Sequence, residues 1–209
     1  MVTLGELGNL RTGYQTRGAV DPVPEGPHRI VMLGDVRDEG IDWDRAGRTH
    51  LGHIKEDDFL VANDIIIRSR GAHYGVVLAS DPPEGTVVAA PLFLLSITRS
   101  DILPEYIAWY LNRPATHSIL ERMARGTSLP TISIRDLAEM EIPMPPLEVQ
   151  QQIAEIARLL TSERDLSRQL IERRAQLADA ILDEMARGRI RKKAPQAKSP
   201  TRYITFEDD

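Results

Sequence analysis

The feature that most constrains this fold is a proline-rich segment that leads directly into a long helical pattern. Residues 142–153 spell IPMPPLEVQQQI, with prolines at positions 143, 145 and 146. Each proline fixes its own φ and biases the preceding residue toward extended geometry, so the chain cannot be helical before Pro146. Pro146 itself suits the first turn of a helix, and Glu148 lies near the positive end of the helix dipole. The segment predicts a boundary between a compact domain and a long helix.

The helical pattern continues to Gly188, where Arg187 and the glycine suit a helix C-terminus. About 40 residues of helix extend about 60 Å, which is more than the preceding domain can cover. The apolar stripe, which Glu163, Arg164 and Arg174 interrupt, must therefore contact another helix. The residues predicted to contact this partner helix are Ile153, Ile156, Leu160, Leu166, Leu170, Leu177 and Ile181.

The segment before residue 146 is predicted to be β-rich with short helices. Strand patterns separated by glycine, proline and aspartate clusters occupy residues 29–33, 64–67, 75–79 and 86–97. Helical spacing follows over residues 104–111 and 115–125, and Ser133 begins a capping box for a third, short helix. The predicted fold class is α+β: a mixed β-rich domain with short helices, followed by one long coiled-coil-forming helix. The predicted boundaries are 1–145 for the domain, 146–188 for the helix and 189–209 for a basic, disordered tail.

Composition excludes several classes of protein. The 209 residues include no cysteine, so disulfides, thiolate metal sites and cysteine nucleophiles are excluded, and a reducing cytoplasm is expected. The longest apolar run, residues 87–97, is interrupted by Pro91 and Ser96 and is shorter than the roughly 18 residues that a membrane span needs. The N-terminus has no basic signal region. A cytoplasmic protein without membrane contact is expected.

The charge distribution bears on nucleic-acid binding. A net charge of −5 argues against a free-standing, non-specific nucleic-acid binder, because phosphate contacts need clustered cations. Before residue 146, Lys55 is the only lysine and all other basic side chains are arginine. Arginine forms bidentate hydrogen bonds of fixed geometry, which favours specific recognition. An arginine-rich codon usage explains the same bias equally well, and both interpretations stay open.

Catalytic and metal-binding motifs are missing from the sequence. None of the four lysines follows an acidic residue by two positions, as common metal-dependent nucleases require, and neither an Asn-Pro-Pro-aromatic loop nor a Gly-Lys-Ser/Thr phosphate loop occurs. His50 and His53 have metal-like spacing, but they lie in a polar stretch without cysteine, which favours ordinary surface histidines. The chain is expected to be a non-enzyme that holds no metal or cofactor of its own.

Short motifs occur in a characteristic order along the chain. Residues 4–13 contain LGEL and TG, residues 30–36 read IVMLGDV, residues 63–67 read NDIII before Gly71 and Gly75, residues 106–111 read YIAWYL, and residues 126–133 contain GTS and IS. With the closing proline-rich junction, which is similar to a PxPPLxEQxxI signature, this order resembles the specificity (S) subunits of type I restriction–modification systems. One segment departs from the family pattern, because residues 89–92 read AAPL where the family often has Asn-Gln.

The resemblance implies a function and a set of partners. In this family a target recognition domain reads one half-site of double-stranded DNA, mainly in the major groove. The long helix docks DNA adenine methyltransferase subunits, and a restriction/translocase subunit joins some complexes. S-adenosylmethionine, ATP and Mg²⁺ belong to these partners. A full member carries two recognition domains and two long helices, so this chain resembles a half-subunit that forms an antiparallel homodimer on a bipartite palindromic target. A stand-alone DNA-binding regulator or phage-defence adaptor on the same fold is the alternative.

Candidate DNA-binding residues concentrate in a predicted hairpin loop at residues 68–75. Glycines in this loop allow close backbone approach, arginine can form a fork to guanine edges, and histidine or tyrosine can bond bases or phosphates. A merely solvated hairpin tip is the alternative interpretation. The candidates in this loop are Arg68, Arg70, His73 and Tyr74, and those in other loops are Gln15, Thr16, Arg17, Arg45, Arg48, Thr127 and Ser128.

Overall fold

The computed structural model describes residues 1–16, 18, 20–37, 40–71 and 74–189. Arg17, His73 and the predicted basic tail beyond Arg189 lie outside the described residues. The chain divides into two compact units, the first covering Met1–Leu159 and the second beginning at Leu160. The first turns of the long helix thus belong to the same unit as the strand-rich domain.

The described residues contain eleven short strands, four α-helices and three short 3-10 helices. The strands are β1 (Val2–Thr3), β2 (Gly8–Thr12), β3 (His28–Val31), β4 (Val36–Arg37), β5 (Gly40–Ile41), β6 (Arg48–Thr49), β7 (Ile65–Arg68), β8 (Val76–Leu78), β9 (Thr86–Val88), β10 (Leu92–Ile97) and β11 (Glu141–Ile142). The helices are α1 (Pro104–Leu111), α2 (Pro114–Met123), α3 (Ile134–Ala138) and α4 (Leu147–Ala186). The predicted class, a mixed strand-rich domain with short helices and a long C-terminal helix, is confirmed.

A four-stranded antiparallel sheet in the order β2-β10-β7-β8 forms the centre of the domain. Its inner strands β7 and β10 are buried on both faces over most of their length, whereas the edge strand β2 is partly exposed. Successive residues of a strand point to opposite sides of the sheet. Ile65 and Ile67 pack into the core that contains α1, α2 and α3, whereas Ile66 packs into a second core with Val31 and Val88. Burial on both faces explains why β7 and β10 read as continuous apolar runs.

The predicted strand over residues 86–97 is two strands in different sheets. β9 pairs in parallel with β3, which also pairs with β6, whereas β10 belongs to the central sheet. Between them, the Leu92 backbone N–H donates to the Ala89 carbonyl at 3.1 Å, which closes a turn around Pro91. The sequence pattern did not separate them because Pro91 is the only residue between them that breaks a strand pattern.

The helix signals of the sequence correspond closely to the structure. α1 has the predicted bounds, and Pro114 both ends it and occupies the first turn of α2. Ser133 caps α3 as predicted, since its hydroxyl oxygen accepts a hydrogen bond from the Asp136 backbone N–H at 3.0 Å. α4 ends at Ala186, and Gly188 follows with a φ of +72°, the left-handed conformation expected after a helix C-terminus.

The proline-rich junction is fixed to the domain by buried hydrogen bonds. Ile142 pairs with Val2 across β11 and β1, and the Tyr106 hydroxyl donates to the Pro143 carbonyl at 2.7 Å. One turn into α4, the Gln150 side chain is fully buried and bonds to three backbone groups of the domain and the junction. Burial also raises the pKa of the Tyr106 phenol, reinforced by Tyr110 nearby. The start of α4 is therefore an integral part of the domain.

Candidate DNA-recognition surface

The register of the central sheet brings several predicted loops to one end. Thr12, Phe93, Ile67 and Val76 lie in one row across the four strands. Beyond this row, β2 leads into residues 13–16, β7 leads into the hairpin loop, and β10 begins after Pro91. The Ser69 hydroxyl donates to the Pro91 carbonyl, which ties two of these loops together. Loops that are remote in sequence therefore share one edge of the domain.

The loop at residues 126–130 joins the same edge through backbone pairing. Thr131 and Arg125 exchange two backbone hydrogen bonds of 2.9 and 3.0 Å, which close the loop at its base. On its other side Thr131 pairs with Arg70, and the neighbouring Ile132 N–H donates to the Ser69 carbonyl at 2.7 Å. Thr127 and Ser128 in this loop are exposed. The structure thus brings Arg70, Thr127 and Ser128 together, as a shared binding surface requires.

A cross-strand row of three side chains results from this pairing. Residues directly opposite each other in antiparallel pairs project from the same face, so Arg70, Thr131 and Arg125 project side by side. The two arginine Cα atoms are then about 10 Å apart, the sum of two antiparallel pair distances. Arg125 is 82% exposed, and its guanidinium contacts Asp136 at 3.4 Å. The row places two cations on either side of Thr131, whose hydroxyl donates to the Leu129 carbonyl at 3.0 Å.

Arg70 differs from Arg125 in its surroundings. Its side chain is half-buried, and its Nε atom is buried with no hydrogen-bond partner among the described residues. A buried donor without a hydrogen-bond partner lowers the stability of the folded state. Partial burial restricts the rotamers of Arg70, whereas the side chain of Arg125 extends into solvent. The two arginines are therefore suited to different contacts.

Tyr74 supports the hairpin loop from within the core rather than lying on its surface. The residue is 4% exposed, and its hydroxyl donates to the Pro130 carbonyl at 3.2 Å. Burial raises the pKa of this phenol, and Glu121 nearby raises it further. The sequence interpretation of Tyr74 as a DNA contact is corrected accordingly, because so deeply buried a ring links two loops and leaves no free face for a ligand.

Gln15 and Thr16 line a separate cleft of about 790 Å³ beside this edge. Residues 49–53, which include His50 and His53, also line this cleft. Gln15 is exposed and Thr16 half-buried, so both can reach a ligand. In the described part of the chain, no group of three or more histidine, cysteine, aspartate or glutamate side chains could hold a metal ion.

Arg45 and Arg48 make contacts within the fold. The Arg45 Nε atom lies 3.3 Å from a carboxylate oxygen of the buried Asp35. Arg48 belongs to β6, and its guanidinium donates to the Gly26 carbonyl at 3.1 Å. Both side chains keep exposed surface, so their role in DNA binding stays a prediction, although Arg48 lies in a strand and not in the predicted loop.

The sequence interpretation omitted Arg125 and Thr131. Arg125 follows a helical pattern and looks like an ordinary surface cation, and nothing local links it to a hairpin 55 positions earlier. Only the pairing of residues 125, 131 and 70 places it beside the loop.

Arg68 precedes this edge in β7 and is half-buried there.

Ile153 makes different contacts from the other predicted partner-helix residues. It packs against the main core of the domain, so its role in a partner helix is corrected to one in the domain itself. The remaining six predicted partner-helix residues are each between 42% and 66% exposed.

Among the described helices, none combines the length and apolar composition that crossing a bilayer requires.

Comparison with known proteins relates this architecture to one family. A family model described as type I restriction modification DNA specificity domain matches residues 1–173. A Methanocaldococcus jannaschii protein named as a type I restriction enzyme MjaX specificity subunit is 29% identical over 155 residues, covering 70% of this chain and 35% of that protein. Because the family match spans most of the sequence, the chain belongs to the type I restriction–modification DNA specificity family.

Two solved structures share the fold. The S subunit of a type I restriction–modification system from M. genitalium aligns with a TM-score of 0.58 at 22% identity, covering 87% of this chain and 44% of that one. The HsdS subunit from Thermoanaerobacter tengcongensis aligns with a TM-score of 0.62 at 20% identity, covering 90% and 45%. This chain thus spans less than half the length of the relatives that it matches.

Proposed function

We propose that this chain is the sequence-recognition component of a type I restriction–modification methyltransferase complex and reads one DNA half-site. The observation that carries this proposal is the convergence of the 13–16, 69–71 and 126–130 loops at one end of the central sheet. Binding residues are commonly placed on loops that a rigid scaffold positions. The family to which the chain belongs supports DNA as the ligand.

The side chains at this edge suit base and phosphate contacts. The half-buried Arg70 is the candidate for a bidentate contact to guanine O6 and N7, which needs a well-positioned guanidinium. The exposed Arg125 and the hydroxyls of Thr127 and Ser128 suit phosphate oxygens, contacts to which fix the register of a protein on the duplex. Gln15 is a further candidate for a base edge, because a glutamine amide can pair with adenine.

The complex is proposed to include catalytic partners. With a net charge of −5, this chain is poorly suited to hold DNA by electrostatic attraction alone, so a methyltransferase subunit would supply most of the phosphate contacts. Methylation, with its S-adenosylmethionine, would take place in that subunit, and ATP and Mg²⁺ would be used by a restriction subunit where one is present. In this proposal the chain itself is not an enzyme.

The long helix is proposed to assemble the complex. Its exposed leucines and isoleucines, such as Leu170 and Leu177, need an apolar partner. We infer an antiparallel homodimer through α4, with the methyltransferase subunits docking beside the paired helices, where Ile171 and Leu182 add exposed apolar surface. Two-fold symmetry would then present two identical reading edges to a bipartite palindromic site.

Mapping of methylated bases tests the proposed function. Genomic DNA of the source organism, with and without the gene for this chain, is sequenced for N6-methyladenine. Loss of methylation at one bipartite motif in the deletion strain is the expected result. Unchanged methylation in a strain where purified chain still binds a defined sequence would contradict the methyltransferase partnership and favour the stand-alone regulator.

A further inference from the structure

The exposed face of α4 contains a seam with regular three- and four-residue spacing. Its apolar members are each between 42% and 62% exposed, and its polar members are one acid, one hydroxyl and one base. This is the spacing of the inward-facing positions of a coiled coil. In order along the helix, the seam consists of Ile156, Leu160, Glu163, Ser167, Leu170, Arg174, Leu177 and Ile181.

The seam is complementary to itself when it is read backward. The midpoint lies between Arg168 and Gln169, and inversion about it pairs isoleucine with isoleucine, leucine with leucine and acid with base. The two charged members of the seam, Glu163 and Arg174, thus form one oppositely charged pair, and only Ser167 faces a residue of a different type. The four pairs are Ile156 with Ile181, Leu160 with Leu177, Glu163 with Arg174, and Ser167 with Leu170.

We propose that a second copy of this chain covers the seam in antiparallel orientation, in the register that places Glu163 opposite Arg174 of the partner subunit. The proposal rests on the homodimer inferred above and deepens it by specifying the register. Two-fold symmetry repeats the charged pair, so the interface contains two such ion pairs. Arg174 makes no ion pair within the described part of this chain, which leaves its guanidinium available for a partner.

Other arrangements of two copies are disfavoured by the same charges. A parallel pair would place Glu163 against Glu163 and Arg174 against Arg174, and like charges at an interface are strongly unfavourable. An antiparallel pair shifted by one heptad in either direction would place Arg174 against an apolar residue, Leu170 or Ile156. A polar residue at a seam position is known to select register at some cost in stability, and here two charges make that selection.

Charge reversal tests the register directly. In full-length protein, Glu163→Arg and Arg174→Glu should each weaken dimerisation by at least about thirtyfold in analytical ultracentrifugation, because two ion pairs become two repulsive pairs. The double variant Glu163→Arg/Arg174→Glu should dimerise like the wild type. An equimolar mixture of the two single variants should also form dimers, because each chain then presents the opposite charge to its partner. Single variants that dimerise like the wild type would overturn the register.

Cysteine crosslinking gives a second readout that does not depend on the ion pair. The chain has no cysteine, so a variant carrying Leu160→Cys and Leu177→Cys should form interchain disulfides on mild oxidation, since facing seam positions lie within disulfide range. Leu160→Cys alone should not crosslink, because the two copies of position 160 would be about 25 Å apart along the helix. Efficient crosslinking of the single variant would contradict the proposed register.

The homodimer and the register of its helices can be contradicted separately. Wild-type protein that stays monomeric at micromolar concentration, both alone and with the methyltransferase, would overturn the homodimer and with it the register. Wild-type protein that dimerises while its charge-reversed variants behave identically would overturn the register alone and leave the homodimer standing.

Discussion

The backbone N–H of Leu103 donates a 2.9 Å hydrogen bond to the side-chain Oε1 of Gln150, one turn into the long helix. The Nε2 group of the same side chain donates to the carbonyls of Pro145 at 2.9 Å and Asp101 at 3.1 Å. A single buried amide thus satisfies three backbone groups and joins the helix to the segment before α1. This contact makes the helix start part of the folded domain.

Loss of this amide should destabilise the domain. Gln150→Leu keeps a similar volume but leaves three backbone groups without partners, which should lower the free energy of unfolding by about 2–4 kcal/mol. Urea unfolding monitored by tryptophan fluorescence measures this, since Trp43 and Trp109 both lie in the domain. The matched control is Gln151→Leu, whose side chain is exposed and which should change stability by less than about 0.5 kcal/mol. Equal effects of the two substitutions would contradict a special role for Gln150.

Removal of the exposed arginine of the cross-strand row should weaken DNA binding without altering sequence preference. Arg125→Gln should reduce the slope of log K against log salt by about 0.9, the value for one lost phosphate contact. Target and non-target duplexes should lose affinity to a similar extent. Arg99→Gln is the matched control, because Arg99 also forms an ion pair with one aspartate, Asp101, but follows the opposite end of β10. An equal change in slope for both variants would indicate a general charge effect.

Removal of the half-buried arginine should instead relax specificity. Arg70→Gln is expected to lose about 1–3 kcal/mol of discrimination at one G·C pair of the half-site while non-specific affinity stays nearly constant. Competition binding with a set of single-substitution duplexes identifies the affected position. Uniform weakening across all duplexes would show that Arg70 contacts only the DNA backbone.

Charges placed on the apolar stripe should prevent dimerisation. Leu170→Glu/Leu177→Glu introduces two carboxylates into positions that are 51% and 62% exposed in the single chain and that would be covered in the dimer. The double variant should sediment as a monomer at micromolar concentration. Gln169→Glu/Gln176→Glu adds the same charge on a neighbouring face of the helix and should leave the dimer intact. A monomer in both cases would mean that charge alone, not burial of the stripe, controls assembly.

Local signals in the sequence predicted the helical part of the fold well. Pro104, Pro114 and Ser133 act within one turn of where they occur, so α1, α2 and α3 could be located from the residues alone. Pro146 and Gly188 likewise bracketed α4. The strands were harder to predict than the helices. Residues 86–97 were predicted as one strand, because their separation into two sheets depends on partners that are remote in sequence.

The candidate site was only partly accessible from the sequence. The hairpin loop and the 126–130 loop were identified from glycine and hydroxyl residues, but their association depends on Thr131 pairing with both Arg70 and Arg125. The burial of Tyr74 could not be inferred, since tyrosine is common both in cores and at binding surfaces. Gln150 is one of three consecutive glutamines, and nothing in the local sequence distinguishes it from its neighbours or indicates its three backbone partners.

Selection from a random-sequence duplex library tests whether the chain reads one half-site in each of two symmetry-related copies. The full-length chain, assembled with the methyltransferase of the same organism, is allowed to bind the library, and the retained duplexes are sequenced. Enrichment of two inverted copies of one short half-site, separated by a spacer of fixed length, is the expected result. Enrichment of no sequence, or of a single unrepeated motif, would contradict it.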